Sequence, residues 1–186
     1  LIADEPRLGK TLTALLAHDP STGPLVVIAP LSTRAVWLKW MHVLWPDIEP
    51  TVITGKTVDP ELLASSSIVF GHYDILTHHR VSSLRPGTFI VDEAHMISSN
   101  KGGAMSQRTN AIHFYASVAK RTILLTGTPL WNTSRGLWAL LAATNPGAWG
   151  KLYDFSQRYC NPPEAPIWMG DLSFKALGDV RVGDEV

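Results

Sequence analysis

The sequence predicts an α/β domain built on a doubly wound parallel sheet with helices on both faces. Three observations carry that prediction. Short β-branched runs alternate along the chain with helix-spaced apolar patterns. Several of the runs are almost wholly apolar, as expected of strands covered on both faces. The connections are long enough for the helical crossovers that parallel strands require.

The elements follow in order. Gly9-Lys10-Thr11 marks the start of a first helix. Residues 25–30 (LVVIAP) form a strand. Val36, Trp37, Trp40, Met41 and Leu44 then recur at helical spacing and predict one buried stripe. Residues 51–54, 67–71 and 88–92 are further strands. Ala111, Phe114, Tyr115 and Val118 predict a second buried stripe, ahead of a strand at 121–126 (RTILLT). Leu137, Leu140 and Leu141 mark a helix beyond it. In sheets of this kind ligands bind at the carboxyl ends of the strands. After Tyr159 the composition changes: Asn161-Pro162-Pro163 ends a helix, and residues 167–186 are rich in Gly and Asp with short apolar pairs, which predicts β-structure. The boundary falls near Cys160, dividing the chain into 1–159 and 160–186.

Composition narrows the function classes. Hydrophobic residues at 45% and charged residues at 17% of 186 exclude a disordered chain. Lys+Arg and Asp+Glu both total 16, so any nucleic-acid surface must be a local patch. One cysteine permits no internal disulfide, which fits a reducing compartment. No apolar run approaches the length of a membrane span and no signal pattern opens the chain, so no membrane partner is expected. The chain starts at Leu1 inside a motif and stops in mid-pattern at Val186, as a fragment of a longer protein would.

Residues 1–13 (LIADEPRLGKTLT) carry the end of a phosphate-binding loop. Leu8 and Gly9 would present backbone N–H groups to phosphate at a helix start, Lys10 would reach the outer phosphates, and the Thr11 hydroxyl would hold Mg²⁺. The usual pattern has a glycine five positions before Gly9, where this chain has Asp4. Residues 88–95 (TFIVDEAH) deliver two carboxylates at the end of an apolar strand. Asp92 would bind Mg²⁺ through water and Glu93 would orient and deprotonate the attacking water, a pairing that phosphoryl transfer needs. Thr126-Gly127-Thr128-Pro129 follows another apolar strand, where its hydroxyls and tight turn would sense the nucleotide. Trp37, Trp40 and Trp45 cluster in one helical segment; core packing is favoured over base stacking, since two of them share the apolar stripe.

Residues 3–11 (ADEPRLGKT), 26–40 (VVIAPLSTRAVWLKW), 89–95 (FIVDEAH) and 124–132 (LLTGTPLWN) resemble, in order and spacing, the first lobe of Swi/Snf-type DNA translocases of helicase superfamily two. Residues 68–76 (IVFGHYDIL) resemble that family's strand and tyrosine. The resemblance covers Leu1 to about Cys160. It implies a RecA-like lobe that uses ATP and Mg²⁺. It gives Lys10 and Thr11 to phosphate and metal, Asp92 and Glu93 to metal and water, and Pro30, Leu31, Ser32 and Thr33 to the backbone of double-stranded DNA. Thr126, Gly127, Thr128 and Pro129 would couple ATP to DNA, and His95 follows the acidic pair as in the family. It also implies a second RecA-like lobe in the same chain, supplying arginine fingers. The family has Gly where this chain has Arg7, which puts nucleotide affinity in question. Pro6 and Arg7 together look more like phage or prokaryotic relatives, hence a bacterial or phage-infected cytoplasm. A strand-separating helicase of the same superfamily, and a nucleotide-dependent DNA-binding module without turnover, are the competing functions.

Residues 160–186 depart from that pattern. A leading Cys160, PEAPIWMGDLSFKALGDV and VGDEV resemble the opening of an intein, a self-splicing Hint domain. The resemblance makes Cys160 the splicing nucleophile attacking the Tyr159 carbonyl; the alternative leaves Cys160 an ordinary residue of the lobe.

Overall fold

The computed structural model describes residues 1–54, 59–78, 84–97, 105–129, 134–160 and 164–185. Five parallel strands make the main sheet: β1 (Leu25–Ile28), β2 (Thr51–Val52), β3 (Ile68–Gly71), β4 (Thr88–Val91) and β5 (Arg121–Leu124), in the order β2-β3-β1-β4-β5. Each predicted strand is present and a residue or more shorter than its run; in β1, β2, β4 and β5 the last residues leave the ladder to form the loops at the carboxyl edge, and in β3 the first, Ser67, lies outside it. Beyond β5, Ile2 forms a parallel bridge with Leu125, donating from its N–H to the Leu124 carbonyl at 2.8 Å. The phosphate-loop segment thus leaves from the sheet itself.

Alternation of side chains along each strand feeds two separate cores. Leu25 and Val27 of β1 join Phe70, Ile90, Ile123 and Leu125 on one face, beneath α1 (Lys10–Leu16) and α2 (Arg34–Leu44), which contribute Ala14, Leu15, Trp37 and Met41. Val26 and Ile28 face the other way with Val69, Phe89, Val91 and Leu124. There they meet α3 (Pro60–Ser65), α4 (Tyr73–His78), α5 (Gln107–Val118) and α6 (Ser134–Thr144). The sheet is therefore covered on both sides, and the α/β, RecA-like class stands.

Local chemistry starts the crossover helices. Asp59 caps α3 through Glu61 N–H with Pro60 in the first turn, and Ser106 caps α5 through Thr109 N–H. Two predicted stripes need correction. Trp37 and Met41 are fully buried, one turn apart, but Val36 is 50% exposed, because it lies about 100° around the helix from Trp37. In α5 the buried set is Thr109, Ala111, Ile112, Tyr115 and Ala116, while Phe114 is exposed. The loops entering β1 and β4 cross closely: a Cβ on Gly87 would fall 2.7 Å from the backbone N and O of Gly23, so neither a turn nor a side chain can be traded there.

The chain divides into two compact units, Leu1–Trp149 and Gly150–Val186. The second holds α7 (Leu152–Tyr159) and an antiparallel pair, β6 (Pro166–Trp168) with β7 (Phe174–Ala176). The break precedes the composition change at Cys160, so α7 is grouped with the tail rather than with the sheet. Asn161-Pro162-Pro163, expected to end this helix, lies outside the described residues, as do Leu130, Trp131 and Asn132 of the fourth motif. Among the described residues no helix is long and apolar enough to cross a membrane.

Candidate functional site

The predicted site residues of the first unit gather along the carboxyl edge of the sheet. Asp92 directly follows β4, and its N–H donates to the Ile28 carbonyl at 2.8 Å; Ala94 N–H donates to the Leu125 carbonyl at 2.8 Å. The acidic pair is thus sewn between its two neighbouring strands, β1 and β5. Both Asp92 oxygens have a donor: Glu93 N–H reaches Oδ1 at 2.9 Å and the Trp37 indole N–H reaches Oδ2 at 2.9 Å. An ionised carboxylate has about four lone-pair sites, so capacity remains for a hydrated cation.

Glu93 adopts left-handed backbone, φ 50° and ψ 47°. For a non-glycine residue this conformation costs roughly 1–2 kcal/mol and requires support from its surroundings. Tyr73 supplies it. Its buried hydroxyl donates to the carbonyls of Asp92 and of Glu93, the latter at 3.2 Å. Burial, reinforced by the Asp92 and Glu93 charges, holds the phenol well above its ordinary pKa, so it remains a donor. The Glu93 side chain turns toward His95, with Oε2 3.2 Å from Nδ1. The same nitrogen lies 3.2 Å from Thr126 Oγ1, which accepts the Thr128 N–H at 3.1 Å. His95 therefore stands between the acidic pair and the Thr126–Pro129 turn.

That turn also meets the phosphate loop. A Cβ placed on Gly127 would lie 3.4 Å from Pro6, and Thr126 N–H donates to the Ile2 carbonyl at 3.1 Å. Within the loop, Arg7 and Gly9 both have positive φ, 70° and 81°. With Leu8 between them at negative φ, the hand of the backbone alternates, an arrangement that turns backbone N–H groups toward a common concavity that suits an anion. No atom lies within 4 Å of the Cβ position at Gly9, which leaves room for a group to approach the backbone. Lys10 folds over its own loop, donating to the carbonyls of Asp4 and Glu5 at 2.7 Å each. Asp4, found where a glycine was expected, thus contributes its backbone oxygen. Thr11 is half-buried in the first turn of α1, and Leu8 is exposed.

Residues 30–33 follow β1 as a tight 3₁₀ turn, Leu31–Thr33, capped by Pro30. Leu31 and Ser32 are exposed, but the Thr33 hydroxyl donates to the Pro30 carbonyl at 2.9 Å. The Thr33 hydroxyl is thus engaged within the turn, while the Ser32 side chain is exposed.

Among the described residues no three His, Cys, Asp or Glu side chains gather into a metal cage. Mg²⁺ on a nucleotide needs only one or two carboxylates beside the phosphates, and the Asp92 donor set suits it. Sequence reasoning placed Trp37 in the core, where it lies, and did not foresee its bond to Asp92. The available signal was that a buried indole N–H requires an acceptor. In the second unit Cys160 is a half-buried free thiol closing α7.

The family model that matches is the SNF2-related domain, over residues 1–179. Among curated proteins the chain is similar to the SWI/SNF-related matrix-associated actin-dependent regulator of chromatin subfamily A-like protein 1 of Xenopus tropicalis. The two are 30% identical over 93% of this chain and 18% of that protein. It is also similar to the human DNA annealing helicase and endonuclease ZRANB3, 32% identical over 87% of this chain and 16% of that protein. Its fold matches the Sulfolobus solfataricus SWI2/SNF2 ATPase core in complex with dsDNA, with TM-score 0.69 and 25% identity over 84% of this chain and 33% of that one. The chain thus spans a minor part of the curated relatives it matches.

Proposed function

Because this chain belongs to the SNF2-related domain family, we propose that it is the ATP-binding lobe of a DNA-dependent ATPase coupling hydrolysis to movement along double-stranded DNA. The observation that carries the proposal is the continuity of the carboxyl edge: Asp92-Glu93, His95, Thr126, Gly127 and the Pro6–Lys10 loop adjoin one another in that order. Leu8 and Gly9 would offer backbone N–H groups to the phosphates, while Lys10 would exchange its two loop carbonyls for them. Thr11 and Asp92 would hold Mg²⁺, which supplies charge neutralisation on the transferring phosphate. Glu93 would orient the attacking water and accept its proton.

Ser32 and the backbone of the Pro30–Thr33 turn would touch DNA phosphates, contacts that position without reading sequence. A shift of Thr126–Pro129 on hydrolysis would pass through His95 to the acidic pair. The second RecA-like lobe would complete the site. In the full-length protein Lys10→Ala should abolish DNA-stimulated ATP hydrolysis. Glu93→Gln should still bind nucleotide in a fluorescence titration while turnover stops. Normal turnover in Lys10→Ala would remove the phosphate-loop assignment. Nucleotide-dependent DNA binding with no turnover in the unmodified protein would favour the binding module, and duplex separation in a strand-displacement assay the helicase.

A second proposal concerns residues 160–186, the start of an intein following a lobe at 1–159. What supports it is the compact unit that contains the tail. There β6 and β7 pair, Gly170 N–H donates to the Glu185 carbonyl at 2.8 Å, and Asp184 Oδ2 accepts from Lys175 Nζ at 2.6 Å and Arg181 N–H at 2.7 Å. Asp184 and Glu185 are thereby folded back on the hairpin. The Cys160 sulfur would attack the Tyr159 carbonyl, forming a thioester as the peptide C–N bond breaks and the freed amine takes the proton. The SNF2-related match through residue 179 assigns the same tail to the host lobe, so expression of the full reading frame decides. A joined host plus an excised segment, both lost in Cys160→Ala, is expected; one unspliced chain from the unmodified frame would end the proposal.

A further inference from the structure

Among the described residues, Trp37 is the one side chain that donates to the Asp92 carboxylate, and nothing about the phosphate or acidic motifs calls for it. Its ring is fully buried between α2 and the sheet, and its Nε1–H donates to Asp92 Oδ2 at 2.9 Å. A tryptophan that served packing alone could bury its ring with the N–H directed at any nearby carbonyl. Here it meets a carboxylate, and a hydrogen bond to a charged group is stronger than one to a neutral acceptor. Trp37 lies one turn beyond the Leu31–Thr33 turn, so the Ser32 turn leads directly into the helix that carries the indole.

We infer that Trp37 is a positioning residue for the metal carboxylate. Its indole N–H fixes the rotamer of Asp92 and leaves the remaining lone pairs for hydrated Mg²⁺. Groups behind a metal-binding carboxylate that hold its orientation tune affinity as well as geometry. The inference rests on the nucleotide-site proposal and assigns a role in it to a residue outside the phosphate and acidic motifs. Trp37 is fully buried behind Asp92, so its loss should weaken the metal-dependent part of binding and spare the rest.

The test uses the full-length protein and fluorescent ATP, titrated with Mg²⁺ present and with EDTA. Trp37→Phe keeps an aromatic ring in the core and removes the N–H. Affinity with Mg²⁺ should fall roughly tenfold, while affinity in EDTA stays within about twofold, a separation that general loosening of the core does not produce. Trp45→Phe, an indole loss from the same core but at the amino ends of the strands, should change neither. Should Trp37→Phe fail to fold, benzothienylalanine at position 37 keeps the ring shape with sulfur in place of N–H, and the same separation is expected. Equal weakening with and without Mg²⁺, or no weakening, overturns the inference while nucleotide binding stands. Absence of any nucleotide binding in the unmodified protein removes the inference and the nucleotide site together.

Discussion

Tyr73, at the start of α4, gives its phenolic proton to the main-chain carbonyl of Asp92, nineteen positions along the chain. Its oxygen also lies 3.2 Å from the Glu93 carbonyl. One buried hydroxyl thus braces the two peptide units that bend the acidic pair into its left-handed turn. Tyr73→Phe keeps the ring and leaves those carbonyls without this donor. Loss of such a bond should cost about 1–2 kcal/mol of stability, read as a lower denaturation midpoint. Because the phenol stays protonated across the usable range, the deficit should not vary with pH; a Tyr73→Phe protein as stable as the parent would show the brace to be idle.

Arg7 occupies a conformation that glycine enters freely. Two opposing effects decide the outcome of Arg7→Gly. Relief of left-handed strain favours the variant by roughly 1–2 kcal/mol, and the extra freedom of an unfolded glycine opposes it by about 0.5–1. Arg7→Gly should therefore match or modestly exceed the parent in denaturant melts. Arg7→Val, β-branched and poorly suited to positive φ, should fall below both. A valine variant that equals the glycine one would mean that the loop relaxes out of this conformation.

The His95 ring contacts Glu93 on one side and Thr126 on the other, which makes it the candidate link between hydrolysis and DNA. His95→Ala and Thr126→Val should each reduce DNA-stimulated turnover by about tenfold. Their combination should lose less than the product, leaving a coupling energy of about 1 kcal/mol in a double-mutant cycle. Strict additivity would separate the two residues energetically despite their contact.

Acid should weaken the fold through two partly buried histidines. Burial lowers the His18 and His113 pKa values below the ordinary 6.5; His18 contacts Thr88 Oγ1 at 3.0 Å and His113 the Ala139 carbonyl at 3.0 Å. For an imidazole whose folded pKa is depressed, the unfolded chain binds the extra proton first. Stability is thus whole above pH 6.5 and declines as pH falls through the folded values. His42 acts in the opposite sense through Glu49, but that pair is on the surface and screened. Melting temperatures should drop between neutral pH and about pH 5, and the double variant His18→Gln/His113→Gln should flatten that slope. An unchanged slope would assign the acid sensitivity elsewhere.

The strands were legible because a parallel sheet covered on both faces writes near-continuous apolar runs, as residues 25–28 and 88–91 do. The acidic pair and the phosphate loop were legible as positions, since a strand end fixes where its next residues emerge. Side-chain facing was less so: Val36 and Phe114 are apolar, yet helical rotation turns Val36 from the core that Trp37 and Met41 enter and Phe114 from the one that Ile112 and Ala116 enter. The Trp37–Asp92 bond and the Tyr73 brace depend on register between segments far apart in sequence. No local pattern encodes such pairings. The tail's β-structure was legible in its composition and has its counterpart in the β6–β7 pair, whereas its reading as an intein rested on resemblance.

The sheet order has a consequence for the nascent chain. Its middle strand, β1, is synthesised before either neighbour: Leu25 must await Ile68 on one side and Thr88 on the other. Until then an apolar segment, LVVI, leaves the ribosome with both edges unpaired. Non-local pairing of this kind slows folding and prolongs exposure to aggregation. A translational pause placed before residue 88 would lengthen that interval, whereas one placed after β5 would let the whole ladder close. Synonymous codon choice in the stretch between β1 and β4 should accordingly set the soluble yield of this lobe more than codon choice anywhere downstream.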